Sequence, residues 1–485
     1  MERTDSGQAQ VLIVGAGPAG LVAGITLARY GIAVLVVEKR DEISMLTRAL
    51  VISTRSMEIL RIWGLEHDVR AGAVDVEPSG WVTHTLASGE GMVVPLGQPT
   101  AAQAARVSPT RPAWAPQDHL EPILLAYLDT LPGALVRFGS ELVTLQQDDD
   151  RVRVSLRERA SRRTWDVETL FVLGADGAHS TVRSQLEIQM AGPDDLAEFH
   201  TVQFTAPLAQ VVTNHRYGLN IITHPDASGV MIPRGQHDRW GYTREWTPGQ
   251  TRLADLSKVH LTELLATATG VPDLQPQIER VGAFSFAAQL ADRYRERRGF
   301  LMGDAAHRMT PRGGTGMNTA IHDAYDLGWK LAWVLRGWAD PGLLDSYEAE
   351  RRPVGLHNVA RSRNPNGAQR EFDEASPWDL NGRVAHHWIE YEHRMVSTLD
   401  LLGDGLTLLA DHSEIEWGQA TAALDAYAPV TVHALDQSAT SSLRIPPGGA
   451  ILLRPDGQQV GSWPDLTSLL HNGSLSGHFR RRTVI

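Results

Sequence analysis

The stretch VLIVGAGPAG, residues Val11–Gly20, decides the first part of the fold. Its four apolar residues predict a buried strand, and the glycines that follow have the spacing G-x-G-x-x-G. A helix is predicted from about Ala19 to Tyr30, where Gly31 ends it, and Ile32–Glu38 predicts a second strand. The order strand, glycine turn, helix, strand predicts a βαβ unit with parallel strands.

Each glycine of the turn has a separate predicted role. Gly15 allows the tight turn, Gly17 lets a pyrophosphate approach the backbone, and Gly20 allows close contact between helix and strand. The helix that begins at Pro18 and Ala19 offers free N–H groups and a partial positive charge to phosphates. The turn therefore predicts a dinucleotide site.

Glu38 narrows the choice of dinucleotide. It stands at the end of the second predicted strand, 23 residues after Gly15. A carboxylate there accepts hydrogen bonds from ribose hydroxyls and repels a 2′-phosphate. The unit is therefore expected to bind an adenosine diphosphate moiety without a 2′-phosphate, as in FAD or NAD.

Composition excludes several classes of protein. The chain has 485 residues, too many for one compact core, so two or three domains are expected. Its net charge of −12 argues against a protein that coats nucleic acid or an anionic membrane. With no cysteine, disulfides, thiolate nucleophiles and Cys-ligated metals are impossible, and no metal site is predicted. No signal peptide or membrane span is recognised, so a cytoplasmic protein is expected.

The rest of the chain predicts further units. Thr201–Phe286 has short β-rich runs between Gly, Pro and Asp turns, which predicts an inserted antiparallel sheet. Helices are predicted from Asn318 to about Arg336 and over Val384–Leu409. The tail, Pro429–Ile485, contains a strand-like stretch at Ala450–Arg454. The expected fold class is α/β, with a Rossmann-type domain that carries a separate β-rich domain.

Two later stretches have the form expected of a cofactor site. An apolar strand at Phe171–Gly174 runs into Asp176-Gly177 and then Arg183, and another at Leu301-Met302 runs into Gly303-Asp304. A glycine-rich loop, Pro311–Gly316, then leads into a helix. An acid just past a strand end can bond a cofactor hydroxyl at the carboxyl edge of a sheet, and a helix start offers N–H dipoles to a negative group.

With these three motifs the chain resembles the FAD-dependent aromatic hydroxylases, single-component flavoprotein monooxygenases with the p-hydroxybenzoate hydroxylase fold. The motif SYEAERRP at Ser346–Pro353 makes it most similar to the phenol and polyketide-tailoring branch. The resemblance implies an FAD-binding domain in two parts, a substrate domain between them and a small thioredoxin-like tail. The predicted boundaries are 1–185 (with substrate-domain segments near 75–115), 186–290, 291–425 and 426–485.

The resemblance also implies which residues hold FAD. Glu38 would bond the adenosine ribose, Val143 the adenine through its backbone, and Asp304 the ribityl chain. The backbone N–H groups of Met317 and Asn318 would face the flavin. The complete predicted set is Gly15, Gly17, Pro18, Ala19, Gly20, Glu38, Lys39, Arg48, Gln117, Val143, Asp176, Asp304, Pro311, Gly314, Gly316, Met317 and Asn318.

On the substrate side, strands of the inserted sheet are expected to line a pocket for a small aromatic molecule. The candidates are Tyr217, Asn220, Met231, Arg234, Trp240, Tyr242 and Phe286. No side chain is singled out as catalytic, because the flavin is the reactive group. His307 is expected to be a scaffold residue, and Arg183 is a further candidate contact to FAD or NAD(P)H.

The implied reaction uses NADPH or NADH and O2 to hydroxylate a phenolic or polyketide-type aromatic through a flavin C4a-hydroperoxide. Baeyer–Villiger insertion and oxidative inactivation of an antibiotic remain open on the same fold, as does a non-catalytic flavin-binding protein. A flavin-dependent halogenase is disfavoured, since no W-x-W-x-I-P segment is present. The expected partners are the substrate and O2, with no nucleic acid or membrane, and a homo-oligomer is possible.

Overall fold

The computed structural model describes residues 9–44, 48–212, 216–373, 380, 382–411, 417–418 and 428–472. The helices, numbered in chain order within these residues, are α1 Pro18–Arg29, α2 Thr54–Ile62, α3 Glu66–Ala71, α4 Ala101–Val107, α5 Gln117–Thr130, α6 Thr181–Gln185, α7 Lys258–Thr269, α8 Gly316–Leu335, α9 Asp345–Arg363, α10 Gln437–Ser442 and α11 Leu466–Asn472. The strands are β1 Val11–Val14, β2 Val34–Val37, β3 Val51–Ile52, β4 Glu77–Thr83, β5 Gly91–Pro95, β6 Ala113–Trp114, β7 Ala134–Arg137, β8 Ser140–Gln147, β9 Val152–Glu158, β10 Thr164–Thr169, β11 Phe171–Gly174, β12 Met190–Ala191, β13 Ala197–Thr205, β14 Tyr217–Ile222, β15 Gly229–Pro233, β16 Arg239–Trp246, β17 Gln277–Phe286, β18 Gln289–Ala291, β19 Arg295–Glu296, β20 Gly299–Leu301, β21 His307–Arg308, β22 Trp388–Tyr391, β23 Arg394–Ser397, β24 Leu406–Asp411, β25 Val430–Leu435, β26 Ala450–Leu453 and β27 Gln459–Trp463.

The predicted βαβ unit is confirmed. Strands β1 and β2 pair in parallel in a six-stranded sheet of order β19-β20-β11-β1-β2-β7, in which only β19 runs antiparallel to its neighbour. Helix α1 joins β1 to β2 and ends before Gly31, whose φ of 74° few other residues adopt. Both strands are buried along their whole length, as a sheet covered on both faces requires.

Helices α1 and α8 pack tightly because small residues meet where they cross. A Cβ added to Gly328 of α8 would lie 2.7 Å from the Cβ of Thr26 in α1. Behind this contact Trp329 and Trp333 are fully buried, edge to face, with ring centroids 5.1 Å apart. The close approach fixes the position of α8 relative to the sheet, and therefore where its N-terminal end points.

The predicted β-rich insertion is a seven-stranded sheet of order β17-β13-β16-β15-β14-β4-β5. It is antiparallel except for the parallel pair β14 and β4, where strands from the earlier part of the chain join the insertion. One face is covered by helix α7, which sequence analysis missed although Ser257 caps its start and Gly270, at φ 72°, ends it. The apolar core between α7 and this sheet is separate from the core of the domain that contains the six-stranded sheet, here called the FAD-type domain.

The prediction of a helix over Val384–Leu409 is wrong. The segment forms the hairpin β22–β23 and then strand β24. Glu392 and His393 make the two-residue turn with φ of 49° and 61°, and a Cβ on Gly405 would lie 2.1 Å from the carbonyl oxygen of Pro429. The apolar residues here lie on the two faces of β-strands, and their spacing in the sequence resembles that of a helix.

The C-terminal strands form a four-stranded sheet of order β25-β24-β26-β27, to which β24 (Leu406–Asp411) belongs although it precedes residue 426; the predicted domain boundary stays a prediction. One face joins the main core and the other packs under α10. A thioredoxin-like character stays a prediction, and residues 473–485 of the predicted tail lie outside the described residues. Among the described helices, no segment has the length and apolar character needed to cross a membrane.

Candidate active site

Three of the predicted motifs meet at one edge of the six-stranded sheet. Strands β1, β11 and β20 lie side by side in parallel, so the turns that follow them converge. The N–H of Ala175 donates to Val14 O at 2.8 Å, and the N–H of Met302 donates to Gly174 O at 3.0 Å. The glycine turn, the Asp176 turn and the Asp304 turn are therefore neighbours in space.

The three glycines of the first turn differ in what a side chain would meet. A Cβ on Gly15 would lie 2.3 Å from Ala175 O, and one on Gly20 would lie 1.9 Å from Gly15 O. A Cβ on Gly17 would meet no protein atom within 4 Å. Packing within the protein thus explains the glycines at 15 and 20, whereas the space beside Gly17 is open, as a pyrophosphate site requires.

Glu38 lies over this turn. Its side chain is buried, and its carboxylate accepts hydrogen bonds of 3.0 Å from the N–H groups of Ala16 and Arg40. Lys39 is exposed and contributes only its carbonyl, which accepts from Arg159. A carboxylate has further lone pairs, so Glu38 keeps the capacity to accept from a ribose, which stays a prediction.

A second group of predicted residues lies around the start of α5. Gln117, the first residue of that helix, donates its N–H to Ala49 O at 2.9 Å and its side-chain amide to Glu121. Burial raises the pKa of Glu121, while Gln117 and the positive charge of Arg48 act in the opposite direction. Arg48 is exposed, and its positive charge also acts to lower the pKa of Asp304.

Val143 has the free backbone that its predicted role requires. In the β8–β9 ladder Leu142 pairs with Leu156 and Thr144 pairs with Ser155, so the pairing skips Val143. Such a bulge leaves the backbone groups of the extra residue outside the ladder. The predicted adenine contact through this backbone is consistent with that geometry and stays a prediction.

Asp304 faces a cleft. Its side chain is exposed to solvent, yet desolvation by the surrounding protein raises its pKa, with His307, Arg48 and Arg308 acting in the opposite direction. Exposure together with strong desolvation is expected of a side chain that stands in a deep concave site. The Asp304 carboxylate is thus open to a ligand that fills the cleft.

Asp176 is engaged within the protein. Its carboxylate accepts from Ser180 Oγ and from the N–H groups of Thr181, at 2.7 Å, and Val182, at 3.1 Å, and so caps α6. Arg183 of the same motif donates to Ala305 O at 3.1 Å, next to Asp304. In the structure Asp176 therefore caps the start of α6, and Arg183 links the Asp176 turn to the Asp304 turn. Contacts of either residue to a cofactor stay predictions.

The glycine-rich loop ends in the start of α8. Gly313 and Gly314 have φ of 89° and 60°, and Gly314 N–H donates to Pro311 O at 3.0 Å. The N-cap residue Thr315 makes no side-chain hydrogen bond to the start of α8, and a Cβ on Gly316 would meet no described atom within 4 Å. The first-turn N–H groups, including that of Met317, therefore point at open space and suit a negatively charged ligand.

The Asn318 side chain fixes this helix start to β3. Its Nδ2 donates to Val51 O at 2.9 Å and to Gly314 O at 3.0 Å, while its Oδ1 accepts from Ser53 N–H and Ser56 Oγ, both at 2.8 Å. All four hydrogen-bonding positions are used. Asn318 thus holds the loop, and only its backbone is available to a cofactor.

A pocket with both polar and apolar lining residues adjoins the same helix start and was missed by sequence analysis. It lies between α2, α8 and α9 and is lined in part by Ser53, Asn318, His322 and Asn358. Burial and the nearby charges of Arg351 and Arg55 lower the pKa of His322 to about 3, so this imidazole is neutral near pH 7. The His322 side chain therefore adds no positive charge beside the start of α8 near pH 7.

The structure places part of the predicted substrate set in the core under α7. Met231, Trp240 and Tyr242 are buried in the core between the sheet and α7, and the Tyr242 hydroxyl donates to Ser228 O. Asn220 pairs directly with Met231, so it shares that face and is 1% exposed. These four side chains pack under a helix and do not line the cleft.

The opposite face of the sheet looks toward the FAD-type domain. Arg239 on this face forms a 2.9 Å ion pair with Asp118 of α5, and Arg312 of the glycine-rich loop lies 5.2 Å over the ring of Phe286. Arg234 lies across Gly241 on the same face, and burial together with Arg239 lowers its pKa to about 10. Tyr217 stacks on Trp81 at 5.1 Å.

This face carries half-buried apolar residues that sequence analysis did not name. The ladder places on it Phe199, Ile221, Val230 and Ile232. Phe199 stacks on Phe286 with ring centroids 4.1 Å apart. The period-2 alternation of each strand was the available signal, but using it required knowing which face α7 covers.

Comparison with known proteins agrees with this geometry. A family model described as an FAD binding domain matches residues 8–362. The chain therefore belongs to this family of FAD-binding proteins, and within it to the FAD-dependent polyketide and aromatic hydroxylases.

Two relatives and two solved structures illustrate the relationship. The chain is 32% identical to tetracenomycin B2 monooxygenase-dioxygenase of Streptomyces olivaceus over an alignment of 510 positions, gaps included, which covers 92% of this chain and 94% of the relative. It is 32% identical over 505 residues to aklavinone 12-hydroxylase RdmE of Streptomyces purpurascens, covering 93% and 94%. The flavin-dependent monooxygenase PieE, solved with FAD and substrate, superimposes with a TM-score of 0.86 at 26% identity, covering 95% and 96%. Aklavinone-11 hydroxylase, solved with FAD and aklavinone, gives 0.83 at 30% identity, covering 97% and 98%.

Proposed function

We propose that the protein is an FAD-dependent monooxygenase that uses NAD(P)H and O2 to hydroxylate a phenolic or polyketide-type aromatic molecule. One arrangement carries the proposal: the space beside Gly17 is open, Asp304 is exposed in the neighbouring turn, and the N-cap residue of α8 does not cap the helix start. The face of the seven-stranded sheet opposite α7 contacts the same domain through the Arg239–Asp118 ion pair and the Arg312–Phe286 contact. The names of the relatives, among them an aklavinone hydroxylase and a tetracenomycin monooxygenase-dioxygenase, support an aromatic polyketide as the substrate class.

The residues present fit an FAD molecule. The open space at Gly17 suits the pyrophosphate, Glu38 and the free backbone of Val143 suit the adenosine, and the exposed Asp304 suits the ribityl chain. When bound, FAD supplies the redox chemistry, accepting a hydride from NADPH or NADH and activating O2 for transfer of one oxygen atom.

The protein's own groups have two tasks. The uncapped N–H groups at the start of α8 stabilise negative charge that develops on a bound ring system, because the positive end of the helix dipole lies there. The half-buried apolar residues on the facing sheet, such as Ile221 and Val230, exclude water from that ring. Both tasks favour oxygen transfer to substrate over release of hydrogen peroxide.

The test is turnover by the purified, FAD-loaded protein. NADPH and NADH oxidation are measured with and without a panel of phenols and polyketide aromatics, under 18O2, with identification of the product. We expect substrate-stimulated oxidation and a product with one labelled hydroxyl oxygen. All oxygenase alternatives add one labelled atom, so an ester or lactone product would replace hydroxylation by Baeyer–Villiger insertion. A non-catalytic flavin binder would show no stimulation, and a protein that cannot be reconstituted to a yellow form would end the proposal.

A further inference from the structure

A fully buried carboxylate, Asp323 of α8, holds both ends of the turn that carries Asp304. One oxygen accepts from Gly303 N–H at 3.3 Å and from His307 Nε2 at 2.6 Å. The other accepts from Arg351 Nε at 2.9 Å. Asp323 and His307 are both 0% exposed.

We propose that Asp323 is a positioning residue for bound FAD: by fixing Gly303 and His307 it orients the Asp304 carboxylate toward the cofactor. The inference rests on the proposed function, because it concerns the same FAD site. Asp323 and His307 act through Asp304 and are buried away from any ligand.

The geometry of the turn explains why it needs such a clamp. Gly303 has φ of 58°, and a Cβ there would lie 3.0 Å from the Cβ of Ala320 in α8, so turn and helix touch without intervening side chains. On the far side Arg183 donates to Ala305 O at 3.1 Å. The turn that carries Asp304 is thus held by hydrogen bonds on both sides, from Asp323 of α8 on one side and from Arg183 of the neighbouring turn on the other.

Arg351 keeps the carboxylate of Asp323 charged in this buried place. Burial alone would raise the pKa of Asp323, but His307 and Arg351 outweigh burial and lower it. A carboxylate with two hydrogen-bonded cationic or imidazole partners is held in one orientation. The Asp323 oxygen shared by Gly303 and His307 is therefore fixed, and the turn with it.

The experiment compares two ligands. FAD contains the ribityl chain that Asp304 is predicted to contact, whereas ADP contains only the adenosine and pyrophosphate. Affinities are measured by calorimetry and by quenching of FAD fluorescence for His307→Leu and Asp323→Asn. We expect the Kd of FAD to rise about 10- to 100-fold, as when an orienting partner of a metal ligand is removed, while the Kd of ADP is unchanged.

Several controls keep the test decisive. Asp323→Asn leaves Arg351 without its charge partner and risks misfolding, so His307→Leu, which keeps the Asp323–Arg351 pair, decides on its own. His307→Gln, which retains a donor, should recover part of the lost FAD affinity. Glu350→Gln removes part of another ion-pair network on α9, with Lys330 and Arg454, and should leave both affinities unchanged.

A mutant cycle tests whether His307 acts through Asp304. In the Asp304→Ala background, His307→Leu should have no further effect on FAD affinity, because the group that it positions is gone. An undiminished effect in that background, an equal loss of ADP and FAD affinity, or an unchanged FAD affinity would each overturn the inference. A wild-type protein that binds ADP but never FAD would instead overturn the proposed function.

Discussion

Gly17→Val separates binding of the cofactor from packing of the fold. Gly17 is the N-cap of α1 with φ −79° and ψ −176°, an extended conformation that valine adopts without strain. Its Cβ would meet no protein atom within 4 Å, so the folded protein has room for the new side chain. The room is the space in which the pyrophosphate of FAD is expected, and we predict that the variant folds but does not bind FAD.

The magnitudes make the outcome readable. Valine is a poorer N-cap than glycine by up to about 1 kcal/mol, and loss of a glycine restrains the unfolded chain by about 0.4–1 kcal/mol, so the two effects nearly cancel. The stability of the apo variant should thus lie within about 1 kcal/mol of wild type. FAD at 100 times its Kd stabilises wild type by about 2.7 kcal/mol, and this increment should vanish in the variant.

The assay is thermal unfolding with and without FAD, together with the flavin content of the purified protein. Gly20→Ala is the matched control, because its Cβ would lie 1.9 Å from Gly15 O and should destabilise the apo protein by about 1–3 kcal/mol. A Gly17→Val protein that keeps its full FAD-induced stabilisation would refute the reasoning. So would one whose apo form loses as much stability as that of Gly20→Ala.

Three further predictions concern other parts of the molecule. Burial would raise the pKa of Glu58, but Arg383 and Arg55 outweigh burial and lower this pKa from 4.5 to about 2. The ionised carboxylate therefore contributes about 3 kcal/mol to the free energy of unfolding, which is fully present above about pH 5 and is lost as the pH falls toward 2. Acid unfolding followed by circular dichroism should show this loss in wild type and not in Glu58→Gln. Tyr242→Phe, under α7, should leave the KM for the aromatic substrate unchanged, whereas Ile221→Trp on the cleft-facing side should raise it, and equal KM values would contradict the assignment of faces. Asp304→Ala should purify with little flavin, and a full flavin absorption spectrum would count against its assignment.

The geometry of the glycine turn and its neighbouring turns was predictable because its determinants are local. Gly15 and Gly20 are required by atoms within the same strand–turn–helix unit or the adjacent turn, so their spacing alone predicts the geometry. Parallel strands then bring the later turns to the same edge, whatever lies between them in sequence. Val143 could be placed only through the family resemblance, because the bulge that frees its backbone is a property of the pairing with β9.

The substrate half was not predictable in the same way. Alternation along β16 shows that Trp240 and Tyr242 share a face, but it does not say which face is covered. Helix α7 decides this, and the sequence analysis does not predict it, because Lys258–Thr269 lies within the stretch predicted to be β-rich. Large aromatic side chains were then assigned to the cleft, although a fully buried tyrosine fills a core equally well.

Two aspartates, Asp176 and Asp304, show what the residues next to an acid can and cannot predict about its role. Asp176 and Asp304 both follow an apolar strand and stand beside a glycine, yet one is used within the protein and the other faces the cleft. After Asp176 the chain enters α6, whose free N–H groups take up the carboxylate. Asp304 itself lies within a short 3-10 helix, Gly303–Ala305, and the chain then enters β21, which pairs with β18, so no α-helix start follows it to take up the carboxylate. The element that follows an acid, and not the acid itself, therefore decides whether it remains available to a ligand.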